Sequence, residues 1–197
     1  MEHPAYGLLR PVTDTASVLL CENPGLLTLE GTNTWVLRGP GTDEMIVIDP
    51  GPDDKDEHIE RLAALGPIPL VLISHRHADH TGGIDRIVDL TGAVVRSVGS
   101  GFQRGLGGPL TDGEVIDAVG LTITVMATPG HTADSVSFLV DDLEIRRGGD
   151  AHVDRERRPG PRERGPVRGG IAGAGLAGGQ HQAVVPAAFG QEAADLG

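Results

Sequence analysis

The chain has 197 residues and a mass of 20.5 kDa, enough for one domain with a sizeable core but short for two. Hydrophobic residues make up 39% of the sequence, and no apolar run approaches the ~20 residues that cross a bilayer, which excludes an integral membrane protein. The net charge of −12 repels phosphate backbones and argues against binding to duplex nucleic acid.

The cysteine content and the N-terminal residues further limit the class of protein and the kind of metal site. Cys21 is the only cysteine, so an internal disulfide framework and a cysteine-rich zinc site are both excluded. Residues 1–20 lack the basic start and the continuous apolar segment of a secretory signal, so we expect a cytoplasmic location. A metal centre in this chain would use histidine and carboxylate ligands.

Residues 17–143 alternate short apolar runs with two helical stretches, which is the pattern of an α/β fold. The predicted strands are 17–20, 34–37, 45–49, 70–74, 93–98, 121–126 and 136–140. One helix is predicted from the acidic residues 53–57 to Gly66, and a second from Gly83 to Leu90. Two sheets with helices outside would bury such strands.

The composition changes at Arg146. Residues 146–170 contain eight arginines, three prolines and only three apolar residues, too few to pack against a core. The net charge of this segment is +4, against −14 for residues 1–145, so it could attract the acidic part or a second copy, or be a solvated linker. We therefore divide the chain into a domain at 1–145 and an Arg/Gly/Pro-rich tail at 146–197.

The strongest chemical signal directly follows the predicted strand 70–74. Four groups that can bind a metal stand within six residues: His75, His77, Asp79 and His80. Because side chains alternate along extended backbone, His75 and His77 project to the same side and can reach one cation. Crowding four such groups without a cation would leave polar atoms uncompensated. The spacing therefore predicts metal binding, with room for two neighbouring metal positions.

A second signal lies in the loop between the predicted strands 121–126 and 136–140. His131 follows Pro129 and Gly130 in this loop. A Pro-Gly turn can hold one imidazole rigidly at the end of a sheet. His131 would then complete a three-histidine site with His75 and His77.

Four motifs, in this order and spacing, resemble the metallo-β-lactamase superfamily, in particular its glyoxalase II-like and β-lactamase-like protein 2 branch. They are Gly-Thr-Asn-Thr-Trp at 31–35, Ile-Asp-Pro-Gly at 48–51, His-x-His-x-Asp-His at 75–80 and Thr-Pro-Gly-His-Thr at 128–132. The resemblance spans residues 17–140. It implies an αββα four-layer sandwich with a two-metal hydrolytic centre at one edge.

The resemblance also implies roles for single residues. The ligands implied for the two metals are His75, His77 and His131 for one, and Asp79 and His80 for the other. Asp79 would also orient the attacking hydroxide. Asp49 matches the family's carboxylate that supports a ligand, although a turn-capping aspartate is an alternative. Imidazole and carboxylate ligands suit two zinc ions first, with iron or manganese as alternatives.

The function implied is that of a metal-dependent hydrolase, which uses a metal-bound hydroxide on a small ester, thioester or lactone. One alternative is a single-stranded RNA endonuclease of the same superfamily. Another is a truncated, inactive metal-binding homologue. The partner expected is a small-molecule substrate, without duplex nucleic acid or membrane.

The tail departs from the family pattern. Asp150, nineteen positions after His131, is the candidate for the family's metal-bridging aspartate, but arginines replace the apolar strand expected before it, so a solvated loop acid is the alternative. His152 and His181 lack the expected turn and are predicted to be surface residues. Read one base later, the codons of residues 158–162 can encode the family's Val-Leu-Gly-Arg-Gly, so a frameshift is a hypothesis that the coding DNA decides.

Overall fold

The structure, a computed structural model, describes residues 3–142 and 183–185. The strands in this part of the chain are β1 (Leu9–Pro11), β2 (Ala16–Leu20), β3 (Asn33–Leu37), β4 (Ile46–Ile48), β5 (Leu70–Leu72), β6 (Val94–Arg96), β7 (Val115–Ala118), β8 (Leu121–Ala127), β9 (Val136–Asp142) and β10 (Ala183–Val185). The helices are α1 (Asp56–Ala64), α2 (Ala78–Thr81) and α3 (Ile84–Thr91), with a 3₁₀ turn at Ser100–Phe102.

The strands form two sheets. The first has the spatial order β1-β2-β3-β4-β5-β6, with antiparallel pairs up to β4 and parallel pairs from β4 to β6. The parallel steps require crossovers, which α1 supplies between β4 and β5, and α2 with α3 between β5 and β6. The second sheet is antiparallel in the order β10-β9-β8-β7.

Two apolar layers hold these elements together. Between the sheets, Ile48 and Leu72 of the first share a buried cluster with Ile123 and Phe138 of the second. On the other face of the first sheet, Val47 and Val71 pack in a cluster with Ile59, Leu62 and Ile87 of the helices. Strands β4 and β5 are therefore buried on both faces, which explains why they are continuous apolar runs.

The predicted α/β sandwich is confirmed, with two sheets face to face and helices α1 and α3 on the outer face of the first. Among the described residues, no helix covers the outer face of the second sheet. Within the same residues, none of the helices has the length and apolarity needed to cross a lipid bilayer.

The seven predicted strands and both predicted helices are present, with shifted ends. Strand β4 stops before Asp49, because Asp49 has a φ of +59° and so leaves the extended conformation. The sequence did not predict β1, β7 and β10, which all lie at sheet edges and have only three or four residues each. It also missed α2, a four-residue helix too short to show a period. The strand β10 comes from the segment assigned to the tail and pairs with β9.

The single cysteine lies inside this core. Cys21 has no exposed surface, and burial raises the pKa of its thiol to about 12. We predict that a thiol-specific reagent at pH 8 labels the native protein only through unfolding, whereas the chain in guanidinium reacts at one thiol immediately. Rapid stoichiometric labelling of the native protein, followed by absorbance, would contradict the buried position.

Helix α1 places one polar side chain on its buried face. His58 lies beside Ile59 and Leu62 on that face, and its Nε2 is 2.8 Å from Thr34 Oγ1. Burial, and secondarily the charge of Arg61, lowers the pKa of His58 from 6.5 to about 4. His58 is therefore neutral at pH 7.

This pKa makes stability depend on pH in a defined direction. Below pH 6.5 the unfolded chain takes up a proton at His58 that the folded chain refuses until about pH 4. We predict that acidification across this window removes about 3 kcal/mol more folding free energy from the wild type than from a His58→Leu variant, in which His75 and the other groups still titrate. Denaturant unfolding in chelator at pH 7 and pH 4 measures both, and equal losses in the two proteins would contradict the prediction.

Candidate metal centre

The loop after β5 carries most of the candidate ligands. His75, three residues after the end of β5, is buried. His77 is exposed and directly precedes α2. Helix α2 then places Asp79 and His80 one turn further, with the His80 backbone N–H donating to the His77 carbonyl oxygen. The change from strand to short helix therefore brings four candidate ligands, two from the loop and two from the helix, to one edge of the sandwich.

His131 reaches the same edge from the second sheet. It lies in the loop between β8 and β9, which is closed by a hydrogen bond from the Thr128 N–H to the Ser135 carbonyl oxygen. The Val136 N–H donates to the Ser74 carbonyl oxygen at 2.9 Å, which ties this loop to the end of β5. One hydrogen bond between the sheets thus sets His131 against the histidines of the first sheet.

Three imidazole nitrogens converge at this edge. His77 Nδ1 lies 3.1 Å from His75 Nε2 and 2.9 Å from His131 Nε2, and the three rings meet edge to face rather than stacked. A tetrahedral zinc ion with Zn–N bonds of 2.0–2.1 Å separates its ligand nitrogens by about 3.3 Å. These two distances are within a few tenths of an ångström of that value, and the ligand atoms of all three histidines lie within 4.8 Å of one another, so the cluster suits a zinc-sized cation.

The neighbours of His75 fix which nitrogen faces the cluster. Ser74 Oγ lies 2.5 Å from Asp49 Oδ2 and 2.9 Å from His75 Nδ1. Since a carboxylate only accepts, the hydroxyl donates to Asp49 and accepts from the Nδ1–H of His75. The lone pair on Nε2 is then free toward His77. Burial, and then the charge of His80, lowers the pKa of His75 to about 4, so the ring is neutral at pH 7.

Asp79 and His80 form a second pair beside the first group. His80 Nε2 lies 3.3 Å from Asp79 Oδ2, and its ring centroid is 4.2 Å from that of His75. Thr32 Oγ1 donates to Asp79 Oδ2 at 2.9 Å. This carboxylate oxygen and the imidazole nitrogen can bind a second cation next to the first.

The protonation states of Asp79 and His80 depend on each other and on Asp49. Burial opposes protonation of His80, but the Asp49 carboxylate, 2.8 Å from its Nδ1, outweighs burial and raises the pKa of His80 to about 10. The hydrogen bond from His80 holds the pKa of Asp79 well below its usual range. In the metal-free protein a proton on His80 therefore offsets part of the negative charge of the two carboxylates, and a cation at Nε2 would replace that proton.

Asp49 supports the candidate ligands and is not itself assigned as a metal ligand. Ligand atoms of Asp49, His75 and His80 lie within 4.8 Å of one another, as a metal site would require. The carboxylate oxygens of Asp49, however, accept bonds from the Ser74 N–H, the Ser74 hydroxyl and His80 Nδ1. These three bonds occupy the buried carboxylate, so we assign Asp49 to orienting the ligands.

Sequence reasoning missed several residues that support the site. Ser74 bridges Asp49 and His75, and Thr32 holds Asp79 while Asn23 bonds both the backbone and the hydroxyl of Thr32. Thr32 stands in the motif 31–35 and Ser74 next to the histidine motif, so their positions were a signal. Asn23 carried none. The candidate ligand Asp150, and His152 and His181, lie outside the described residues.

Comparisons with known proteins match most of this chain to one family. A family model described as the metallo-beta-lactamase superfamily matches residues 27–183. An atrochrysone carboxyl ACP thioesterase of Cryptosporiopsis sp. (strain 8999) is 33% identical over 140 residues, covering 67% of this chain and 42% of that protein. A beta-lactamase-like protein 2 homolog of Caenorhabditis elegans is 32% identical over 155 residues, covering 72% and 51%.

Other relatives are a hydroxyacylglutathione hydrolase of Pseudomonas putida and a solved structure. The hydrolase is 34% identical over 110 residues, covering 54% of this chain and 41% of the hydrolase. The structure is a subclass B3 metallo-beta-lactamase of Bradyrhizobium japonicum, with a TM-score of 0.55, 19% identity and coverage of 71% and 59%, a likeness of fold alone. The chain thus spans about half the length of these curated relatives. Because the family model matches well over half of its residues, the chain belongs to the metallo-β-lactamase superfamily.

Proposed function

We propose that this chain is a metal-dependent hydrolase of small esters, thioesters or lactones. The observation that carries the proposal is the convergence of three imidazole nitrogens, from His75, His77 and His131, with a carboxylate and a fourth imidazole beside them. A divalent cation between these three imidazole rings could bind all of them at once. The fit of the nitrogens to a zinc-sized ion supports this choice.

The candidate ligands indicate which metal binds and which residues hold it. His75, His77 and His131 would hold one ion, and Asp79 with His80 would hold part of the shell of a second. Imidazole with carboxylate suits zinc, and iron or manganese are the alternatives. Asp150 remains the candidate for a bridging ligand. When bound, two such ions lower the pKa of water toward neutrality and polarise the carbonyl oxygen of a substrate.

The protein's own groups would position the reactants. The hydroxyl of Thr32 fixes one oxygen of Asp79 at 2.9 Å, which leaves the rest of the carboxylate to orient an attacking water and accept its proton. The hydrogen bonds from Asp49 and Ser74 keep the rings of His80 and His75 in place. Such preorganisation spares the reaction the cost of aligning these groups.

Thioesters are the substrates we would test first. Two of the relatives are named as thioesterase and hydroxyacylglutathione hydrolase, and both names describe hydrolysis of a thioester. The acidic net charge of −12 disfavours the alternative of single-stranded RNA as substrate. The other alternative, an inactive metal-binding homologue, differs from the proposal only in turnover.

Metal content tests the proposed site. Protein purified without added metal and analysed for elements should hold about two zinc or iron ions per chain, because two groups of ligands adjoin each other. His131→Gln should lower the affinity for the first ion at least tenfold, whereas His3→Gln, at a histidine that contacts Ala5 and Tyr6 and is not a candidate ligand, should not change it. Protein that binds no ion, or a His131→Gln variant that binds as tightly as the wild type, would refute the site.

Turnover tests the proposed activity. The metal-loaded protein should hydrolyse a model acyl-thioester, lose the activity to a chelator and regain it when zinc returns. Asp79→Asn should lower kcat by roughly 10²-fold or more, because the amide cannot accept the proton of the water. Full metal occupancy with no hydrolysis of thioesters, lactones or esters would support the inactive homologue, and cleavage of single-stranded RNA alone would support the endonuclease.

A further inference from the structure

We propose that His58 and Thr34 form a hydrogen-bonded relay that holds the turn after β4 in the conformation that Asp49 needs to orient His80. The proposal rests on the metal-dependent hydrolase proposed above, because it assigns support of that centre to a helix and a strand outside it. Both residues are positioning residues and touch no ligand themselves.

The turn after β4 adopts an unusual backbone conformation. Asp49 has a φ of +59° and Gly51 a φ of +102°. A residue with a side chain persists in the left-handed region only where its surroundings hold it there. The Asp49 N–H donates to the Leu72 carbonyl oxygen at 3.0 Å, which ties one side of the residue to β5. Its other side, the carbonyl group, faces β3.

Thr34 on β3 holds that carbonyl group. Thr34 is fully buried, and its Oγ1 lies 2.7 Å from the Asp49 carbonyl oxygen and 2.8 Å from His58 Nε2. Because a carbonyl oxygen only accepts, the single hydroxyl proton goes to Asp49. The hydroxyl therefore accepts from His58, which must carry its proton on Nε2. The relay has one consistent direction, from His58 through Thr34 to Asp49.

His58 also contacts the turn directly. A Cβ added at Gly51 would lie 3.2 Å from His58 Cδ2, so the ring packs against the backbone of the turn. Its helix is anchored in the core by Ile59 and Leu62, which are fully buried. A polar ring on this apolar face costs desolvation that an apolar side chain would not, and hydrogen bonding compensates it. The contacts of His58 with the turn thus account for a histidine at this position.

The conformation of the turn affects the candidate ligands through the carboxylate of Asp49. The Asp49 side chain accepts from His80 Nδ1 at 2.8 Å and from the Ser74 hydroxyl, which in turn accepts from His75. If the turn relaxes, the carboxylate moves and both rings lose their support. Loss of a partner that orients a metal ligand commonly weakens metal binding 10–100-fold.

The test begins with the metal-free protein, so that it does not depend on metal binding. In proton NMR at pH 7, the Nδ1–H of His80 should give a slowly exchanging resonance, assigned by its loss in His80→Gln, because it is bonded to buried Asp49. Thr34→Val, which keeps the shape but removes the hydroxyl, and His58→Leu should each broaden or abolish this resonance, and Thr34→Ser should retain it. Thr122→Val is the matched control, since it removes a buried hydroxyl bonded to Asp117 in the second sheet.

The same proteins are then titrated with zinc against a chelator. We expect Thr34→Val and His58→Leu to bind zinc 10–100-fold more weakly than the wild type, and Thr34→Ser and Thr122→Val to stay close to it. A sharp His80 resonance and unchanged zinc affinity in Thr34→Val and His58→Leu overturn the relay. A wild type that shows the resonance and its loss in the variants, yet binds no zinc, overturns the proposed function and leaves the relay standing.

Discussion

The buried carboxylate of Asp49 is the constraint on which the candidate site depends. It is 4% exposed and accepts three hydrogen bonds, two from Ser74 and one from His80. A buried charge is stable only with such donors, so none of the three can leave without a large cost. The orientation of His80 follows directly from this arrangement, and that of His75 follows through the Ser74 hydroxyl. One carboxylate therefore aligns ligands of both proposed metal positions.

The two sheets contribute to the site in different ways. Strands β4 and β5 are parallel, so their carboxyl ends bring Asp49 and the histidine motif to the same edge, where sites in parallel sheets commonly lie. His131 comes from the second sheet, and the Val136 to Ser74 hydrogen bond joins the two edges. The apolar layer between the sheets therefore sets the distance between His131 and its partners. The arrangement of the candidate ligands therefore also depends on packing far from them.

The sequence predicted the elements with strong apolar patterns and the residues with a dense local motif. The buried strands β4 and β5 and the cluster of His75, His77, Asp79 and His80 are examples. It could not predict edge strands such as β7, which has only four residues, or contacts between residues distant in the chain. Thr32 and Asp79 are 47 residues apart, and His58 and Thr34 are 24 apart, so only the folded chain shows that they meet. For Asp49, left open between a turn cap and support of a ligand, the bond to His80 favours support of a candidate ligand.

The proposed centre requires that His75, His77 and His131 bind one metal ion. Anomalous diffraction at the zinc edge from crystals of the zinc-loaded protein tests this most directly. We predict a peak about 2.1 Å from His75 Nε2, His77 Nδ1 and His131 Nε2. A zinc-loaded crystal without a peak at that position, or with its strongest peak at surface carboxylates, would contradict the three-histidine site.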